Sequence, residues 1–498
     1  MTDLTHNDLV IGIVGAGAMG SGIAQVAAAS GRTVLIFDQR HGAASTARAG
    51  IITRMEKRVA EGKASQDVVD MLVAKLQVVE SLSALAGCGL IVEAIIEDLD
   101  AKRALFAELA AMVAKDTVLA SNTSSIPIGA IASGLPNPSR ISGLHFFNPV
   151  PVMKLVEVIR TPDTADEVVD GLMHLSREMG RVPVEVRDTP GFLVNFGGRA
   201  YTTEGLAIVH ENVATPAQVD AVMRDCCGFR MGPFELMDLT GMDINYPVTA
   251  LVHQSHFSDP RLRSTPLHRY LFDVGQLGRK TGRGFFDYRD GAARPSADAT
   301  SSAPPAHTVS LLEANEALVA LARELDLSVL PADDGVCPIL CAPIGEDCAA
   351  LSERTGADHR RLVALDLAVD TTRRITVMTA PDADPAARDS VVALLLQSRA
   401  VTAIADSPGF IAQRICAMIA NLGCEMAQTG LAKPNDIDTA MRLGLNYPSG
   451  PLEMTDAMGA DQLYTIMTQI QRLTGDDRYR PSQWLRRRAQ LGLSAMAS

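Results

Sequence analysis

Short apolar runs alternate with amphipathic helical patterns over the first part of the chain. The runs predict five β-strands, at Leu9–Val14, Val34–Phe37, Leu90–Val92, Val118–Ala120 and Ile141–Leu144. Helical periodicity occupies stretches between them, for example Met19–Ala29 and Ala101–Ala114. Strands that alternate with helices in this way are typical of a parallel sheet with helices on both faces.

From about residue 190 the pattern changes to long helices, such as Phe196–Glu211 and Pro216–Asp225. This helical region ends near Gly284–Tyr288. The stretch Ala292–His307 that follows is rich in Ala, Ser and Pro and has no periodicity, which indicates an interdomain linker.

The chain repeats itself beyond the linker. DTPGFLVN at Asp188–Asn195 returns as DSPGFIAQ at Asp406–Gln413, and GPFELMDLTG at Gly232–Gly241 returns as GPLEMTDAMG at Gly450–Gly459. Both pairs have the same offset (406 − 188 and 450 − 232 are both 218). Two motifs in one register predict a duplicated helical domain.

Composition restricts the classes of function. With 498 residues, 47% hydrophobic and 21% charged, the chain resembles a multidomain globular protein. A net charge of −13 argues against nucleic acid as a partner. The eight cysteines lack zinc-ligand spacing, so no metal site is expected. Neither a signal peptide nor an apolar stretch of membrane-spanning length is found, so we expect a cytoplasmic protein without a membrane partner.

A glycine-rich motif follows the first predicted strand and opens a helix, at Gly15-Ala16-Gly17-Ala18-Met19-Gly20. In this context Gly15 permits a tight turn, Gly17 lets a diphosphate approach the backbone, and Gly20 allows close packing of helix and sheet. Asp38 ends the second strand, where a carboxylate binds the ribose hydroxyls and disfavours a 2′-phosphate. The motif therefore predicts NAD as the cofactor, and the neighbouring Arg40 leaves NADP as a minor alternative.

Two polar segments directly follow later strands, SNTSSIPI at Ser121–Ile128 and HFFNPVPVMKLVEVI at His145–Ile159. Ligands gather outside the carboxyl ends of the strands in a doubly wound sheet, so both segments should line that crevice. His145, with Glu157 on the next strand, suits a base whose tautomer is set by a carboxylate. Such a base could remove the proton of an alcohol during hydride transfer to NAD. A purely structural histidine remains the alternative.

Six segments in order from about residue 8 to 288 resemble the 3-hydroxyacyl-CoA dehydrogenases of β-oxidation: GAGAMGSGIA, VEAIIED, SNTSSIPI, LHFFNPVPVMKLVEVI, DTPGFLVN and MGPFELMDLTG. The tandem C-terminal copy resembles the long bacterial branch that includes 3-hydroxyadipyl-CoA dehydrogenases of phenylacetate degradation. The resemblance implies NAD-dependent oxidation of an (S)-3-hydroxyacyl-CoA thioester to the 3-oxoacyl-CoA.

The resemblance also implies roles for single residues. His145 would be the base, Glu157 would orient it, Ser124 would bind the substrate hydroxyl, and Asn195 would contact the region of the reacting oxygen. Other residues would line the NAD site besides the glycine motif and Asp38, namely Glu97, Lys102 and Asn122. Asn148 would either hold its loop or touch the nicotinamide. For the CoA phosphates the resemblance offers only Lys63. The sequence departs from the family pattern at Phe196 and Arg230, where the family has Arg and Pro.

The resulting fold prediction is a Rossmann-type α/β domain followed by an all-α domain, then a degenerate α/β segment and a second all-α domain. The predicted boundaries are 1–187 for the NAD-binding domain, 188–290 for the first helical domain, 291–307 for the linker, 308–405 for the degenerate segment and 406–498 for the repeat. In the second copy Asn195 maps to Gln413, and with one gap Glu157 maps to Thr376 and His145 near Ala364. No glycine motif precedes it, so we expect this copy to be catalytically inactive.

Two other functions remain open at this stage. One is a dehydrogenase of a free hydroxy acid or sugar acid, and the other is a non-catalytic NAD-binding protein. The oligomeric state is also open, between a homodimer and a monomer in which the repeat replaces the partner.

Overall fold

The computed structural model describes residues 2–497, which divide into two compact units. The first unit runs up to Phe196 and also includes Thr429–Leu445. The second contains Gly197–Gln428 and the chain from Asn446 onward. In residues 2–497 no helix combines the length and apolar character that crossing a membrane would require.

The first unit is built on an eight-stranded sheet of order β3-β2-β1-β4-β5-β6-β7-β8. Its strands are β1 (Val10–Val14), β2 (Thr33–Phe37), β3 (Leu76–Val78), β4 (Leu90–Glu93), β5 (Val118–Ser121), β6 (Ile141–Phe146), β7 (Leu155–Arg160) and β8 (Val182–Arg187). All five predicted strands are confirmed. The strand order reverses between β1 and β4, and this switch point is where doubly wound sheets bind their ligands.

Helices flank this sheet and bury its apolar residues. They are α1 (Ala18–Ala29), α2 (Ala43–Ala60), α3 (Gln66–Lys75), α4 (Leu99–Met112), α5 (Ile128–Ala132), α6 (Asp166–Glu178) and α7 (Val194–Gly197). Ile11 and Ile13 of β1 are fully buried in one core with Ile23 of α1. Burial on both faces explains why the strands read as continuous apolar runs rather than as alternating patterns.

One strand pair departs from the predicted parallel arrangement, because β6 and β7 run antiparallel. Their connection, Phe147–Lys154, is too short for the crossover that two parallel strands need. The antiparallel register places His145 directly opposite Glu157. Residues that are opposite each other in such a pair have side chains on the same face of the sheet.

The second unit contains a six-stranded sheet of order β10-β9-β11-β12-β13-β14. Its strands are β9 (Thr308–Leu311), β10 (Ser328–Val329), β11 (Ile339–Cys341), β12 (Leu362–Leu365), β13 (Arg374–Met378) and β14 (Ala400–Ile404). The pair β12–β13 is antiparallel, like β6–β7, and β13–β14 is parallel, like β7–β8. The degenerate α/β segment thus keeps the last four strands of the first sheet.

The remaining helices of the second unit belong to the two helical copies and to the α/β segment that contains the second sheet. They are α8 (Arg199–His210), α9 (Pro216–Asp225), α10 (Pro233–Thr240), α11 (Met242–Ser255), α12 (Pro266–Asp273), α13 (Glu316–Glu324), α14 (Cys348–Thr355), α15 (Pro385–Leu395), α16 (Ala412–Gln428), α18 (Pro451–Met458), α19 (Ala460–Thr474) and α20 (Gln483–Leu491). The starts of α10 and α11 recur in α18 and α19 at the offset found in the sequence. The predicted duplication is confirmed.

The two copies exchange one equivalent segment. Helix α17 (Pro434–Leu445), from the second copy, packs against β7 and β8 of the first unit. There the Arg187 N–H donates to the Leu431 carbonyl at 2.8 Å. The equivalent bond in the second unit runs from the Ala405 N–H to the Val213 carbonyl, at 3.0 Å, and α9 packs against β13. Each helical copy therefore supplies this segment to the α/β sheet of the other copy.

Candidate active site

The glycine motif lies between β1 and α1, and its three glycines meet different surroundings. A Cβ at Gly15, whose φ is +100°, would lie 2.5 Å from the Ala94 carbonyl oxygen. A Cβ at Gly20 would lie 1.8 Å from the Gly15 carbonyl oxygen. At Gly17 a Cβ would meet nothing within 4 Å. Gly15 and Gly20 are therefore needed for the fold, whereas Gly17 leaves open space for a ligand.

The start of α1 is suited to an anion. No side chain caps this end and its first turn, which includes Ala18 and Met19, has no acidic residue. The backbone N–H groups at a helix start bind phosphate groups well. Asp38 Oδ2 accepts the Ala16 N–H at 2.8 Å, and hydrogen bonds from Arg40 lower the pKa of Asp38 to about 2. An open phosphate cradle beside an ionised carboxylate fits the diphosphate and ribose of NAD.

A buried charge network connects the ends of β4 and β5. Glu93 is fully buried, and its two carboxylate oxygens accept from Lys102 Nζ and from Ser121 Oγ, each at 2.6 Å. Lys102 Nζ also lies 3.5 Å from Glu97 Oε2. No role is predicted for Glu93 from the sequence, although a carboxylate at the end of an apolar strand indicates one. The Glu93 carboxylate fixes Lys102 at the edge of the sheet where the cofactor is expected to bind.

Glu97 orders the serine loop after β5. Its Oε1 accepts from Thr123 Oγ1 at 2.7 Å, from Ser125 Oγ at 2.9 Å and from the Ser124 N–H at 3.0 Å. Burial alone would raise the pKa of Glu97, but the hydrogen bonds of Thr123 and Ser125 and the charge of Lys102 outweigh it and lower that pKa. Glu97 is therefore a stable anion that ties the loop to the Lys102 network.

His145 and Glu157 form a close buried pair. His145 Nδ1 lies 2.6 Å from Glu157 Oε2, and the two residues are 6% and 0% exposed. The other Glu157 oxygen accepts the N–H groups of Leu193 and Val194, at 3.0 and 2.9 Å. In residues 2–497 His145 Nε2 has no hydrogen-bond partner. Only one of the two ring nitrogens is thus occupied by the protein.

Aromatic rings hold the orientation of the imidazole. The centroid of the His145 ring lies 4.5 Å from that of Phe147 and 5.9 Å from that of Phe192. Asn122 Oδ1 accepts the Phe146 N–H at 2.8 Å, which ties the loop after β5 to the end of β6. Asn148 follows in the turn after β6.

The structure also brings Ser124 and Asn195 together. Asn195 Nδ2 donates to the Ser124 carbonyl at 3.1 Å, and Ser124 Oγ lies 3.2 Å from Glu97 Oε1. Lys63 is the predicted site residue that lies apart. It is exposed, with its Nζ 2.8 Å from Glu61 Oε2, and among the described residues it forms no hydrogen bond or ion pair with the other predicted site residues.

This arrangement supports proton transfer at one atom. When the imidazole is neutral, the carboxylate of Glu157 holds the proton on Nδ1, and Nε2 then carries an available lone pair. That is the state a general base requires. Charge that develops on the ring during proton uptake would be stabilised by the adjacent carboxylate of Glu157.

The second copy has different residues at the equivalent positions. Asp366 lies opposite Thr376, and its N–H donates to the Thr376 carbonyl at 3.1 Å. The position of His145 is therefore taken by Asp366, and the expected equivalence with Ala364 is wrong. The turn between the two strands is two residues shorter in this copy, and the antiparallel register is kept. Gln413, at the position of Asn195, donates to Asp366 Oδ1 at 3.0 Å.

The departure at Phe196 has a counterpart in the repeat. Arg414 occupies the equivalent position of the second copy and pairs with Glu204 at 2.8 Å and with Glu211 at 2.6 Å. At the offset of 218, the residues equivalent to those two glutamates are Leu422 and Thr429. Arg414 thus pairs with two carboxylates, whereas Phe196 is buried and the positions equivalent to those two carboxylates hold uncharged residues.

Comparison with known proteins identifies the family. Residues 10–189 match the family described as "3-hydroxyacyl-CoA dehydrogenase, NAD binding domain". Residues 191–288 and 409–498 match "3-hydroxyacyl-CoA dehydrogenase, C-terminal domain". The chain belongs to the 3-hydroxyacyl-CoA dehydrogenase family. The resemblance found in the sequence is confirmed, and so are the NAD cofactor and the class of NAD-dependent oxidoreductase.

Relatives of two lengths match this member of the family. It is 39% identical to the 3-hydroxyadipyl-CoA dehydrogenase of Escherichia coli (strain K12), over 97% of this chain and 98% of the relative. It is 38% identical to the human mitochondrial hydroxyacyl-coenzyme A dehydrogenase, over 56% of this chain and 90% of that protein. A crystal structure of 3-hydroxybutyryl-CoA dehydrogenase from Escherichia coli K12 superimposes with a TM-score of 0.87 at 37% identity, covering 98% of this chain and 99% of that one.

Proposed function

We propose that this enzyme oxidises the hydroxyl of an (S)-3-hydroxyacyl-CoA to the 3-oxoacyl-CoA, with His145 as the general base. The observation that carries this proposal is the hydrogen bond of 2.6 Å between His145 Nδ1 and Glu157, while Nε2 has no hydrogen-bond partner among residues 2–497. The family and the acyl-CoA substrates in the names of its members support the proposed substrate class.

Each proposed catalytic residue has one task. His145 Nε2 takes the proton of the substrate hydroxyl, and Glu157 holds the tautomer and stabilises the resulting imidazolium. Bound NAD supplies the nicotinamide ring that accepts the hydride from carbon 3. Ser124 and Asn195 hydrogen-bond the reacting oxygen from the two loops that meet at the Ser124 carbonyl.

The proposed cofactor site combines the glycine motif with the polar ends of the strands. The N–H groups of Ala18 and Met19 would bind the diphosphate, and Asp38 would bind the ribose hydroxyls. Four residues would line the side of the cofactor site nearer to His145 and Glu157, namely Glu97, Lys102, Asn122 and Asn148. The buried charge network and the loops after β5 and β6 position them. Lys63 remains a proposed contact of the CoA phosphates.

A kinetic series tests the function. NADH formation would be measured with hydroxybutyryl-CoA, longer 3-hydroxyacyl-CoA thioesters, 3-hydroxyadipyl-CoA and the corresponding free acids. Turnover of the thioesters and not of the free acids supports the proposal. If no thioester is oxidised, or if free hydroxy acids are preferred, the proposal is wrong. The ratio of kcat/KM between the adipyl and butyryl thioesters assigns the enzyme to phenylacetate-type or to β-oxidation substrates.

The role of the repeat is also proposed. We infer that residues 308–498 contain no second catalytic site, because the residues at the positions of His145 and Glu157 are Asp366 and Thr376. The exchange of α17 and α9 favours a monomer in which the repeat replaces a partner over a homodimer. Sedimentation of the purified chain distinguishes the two states.

A further inference from the structure

Gly444 lies where helix α17 of the second copy contacts the first unit. A Cβ at this position would be 3.0 Å from Leu155 Cδ2 and 3.0 Å from Val194 Cγ2, closer than an ordinary van der Waals contact. The φ of Gly444 is not in the left-handed region, so no turn requires glycine here. Since glycine weakens a helix, its reason at this position is the close approach to these two side chains.

Val194 is the first residue of α7 and contacts the proposed catalytic pair through its backbone. Its N–H donates to Glu157 Oε1 at 2.9 Å, and the next residue, Asn195, donates to the Ser124 carbonyl at 3.1 Å. A displacement of Val194 would therefore change the support of Glu157 and the position of Asn195 together. A side chain at position 444 would press on Val194, the residue that connects these two contacts.

The equivalent positions of the other half have different residues. At the offset of 218, Cys226 corresponds to Gly444 and Ala412 corresponds to Val194. Cys226 Sγ donates to the carbonyl of Arg374, which opens β13 as Leu155 opens β7. In the half that contains His145 and Glu157, the two positions therefore hold Val194 and Gly444. In the other half they hold Ala412 and Cys226. The larger side chain of the pair is Val194 at the start of α7 in one half and Cys226 at the end of α9 in the other.

We propose that Gly444 is a positioning residue for the active site, so that the repeat acts in catalysis through α17. The close approach of α17 to Val194 holds the Leu193–Asn195 segment against Glu157. This inference rests on the proposed roles of His145 and Glu157. It differs from a purely structural role of the repeat, because it requires the second copy to affect kcat more than stability.

The test compares variants of the full chain. Gly444→Ala adds only the Cβ and favours the helix, and we expect kcat to fall about 3- to 10-fold, whereas Gly444→Val should lower it about 10- to 100-fold, in line with the cost of a small misplacement of catalytic groups. The affinity for NADH should stay within twofold of wild type. Cys226→Val, at the equivalent position of the other half, is the matched control and should change kcat less than twofold.

A compensating variant separates positioning from general damage. Val194→Ala combined with Gly444→Cys reproduces the pair of the other half and should recover at least a third of the wild-type kcat, while Gly444→Cys alone should not. Amide hydrogen exchange in residues 189–196 should be faster in Gly444→Val. An unchanged kcat in Gly444→Val, or an equal loss in Cys226→Val, would overturn the inference. A parallel His145→Gln variant tests the underlying function: if it is inactive while Gly444→Val is normal, only the inference fails.

Discussion

His145 Nδ1 lies 2.6 Å from Glu157 Oε2, directly across an antiparallel strand pair. The second oxygen of Glu157 accepts two backbone N–H groups, so this carboxylate binds three groups in all. The pair therefore holds both the tautomer of the imidazole and the loop that carries Asn195. Glu157 thus links His145 to Leu193 and Val194 at the start of the helical region.

Glu157→Gln tests the control of the tautomer. The Gln oxygen must accept the N–H groups of Leu193 and Val194, so its amide NH₂ points to Nδ1 and forces the ring proton onto Nε2. His145 then has no lone pair at the reacting position, and we expect kcat to fall about 10²- to 10⁴-fold, the usual contribution of a general base. Steady-state kinetics and NADH fluorescence titration measure the effect. A loss below tenfold, or a similar loss of NADH affinity, would contradict this role.

The glycine motif provides a matched pair of variants. Gly17→Val places its side chain in open space, so the thermal midpoint should stay within about 2 °C of wild type while the Kd for NADH rises at least tenfold because the diphosphate site is filled. Gly20→Val should instead destabilise the fold, since its Cβ would overlap the Gly15 carbonyl. Calorimetry and NADH titration of both variants check the contrast. Equal stability of the two variants would refute it.

We expect Asp366 to make the free energy of unfolding depend on pH. Burial raises the pKa of Asp366 to about 6, and its Oδ2 has no hydrogen-bond partner among the described residues. A carboxyl whose pKa is higher in the folded state destabilises that state increasingly as the pH rises from about 4 to about 6. Asp366→Asn should therefore raise the free energy of unfolding by about 1–3 kcal/mol at pH 8 and change it little at pH 4.

Calorimetry of Asp366→Asn and wild type across this pH range makes the comparison. The amide keeps the acceptor for Gln413, so the hydrogen bond to that side chain survives the substitution. A stability difference that is the same at pH 4 and pH 8 would show that the charge of Asp366 is not the cause.

Some of this architecture could be predicted from sequence because it depends on local patterns. The glycine motif, the strand before it and Asp38 form one compact unit, and the apolar run before HFFNP placed His145 at the end of a strand. The equivalent of His145 in the repeat could not be found by counting, because the antiparallel turn there is shorter and only the strand register reveals Asp366.

Long-range contacts were outside the reach of sequence patterns. Nothing in Pro434–Leu445 distinguishes a helix that packs on its own copy from one that packs on the other copy, because both surfaces are related by the same duplication. The position of Glu93 was visible, but its partners Lys102 and Ser121 lie on different elements and meet only in the folded sheet.

The measurement that tests the central claim most directly is turnover of a 3-hydroxyacyl-CoA by His145→Gln at saturating NAD. Removal of the base should lower kcat about 10²- to 10⁴-fold, with the Kd for NADH unchanged because His145 is not part of the phosphate cradle. His174→Gln, an exposed histidine on α6, is the control and should behave as wild type. If His145→Gln keeps more than a tenth of the wild-type kcat, His145 is not the base and the account is wrong.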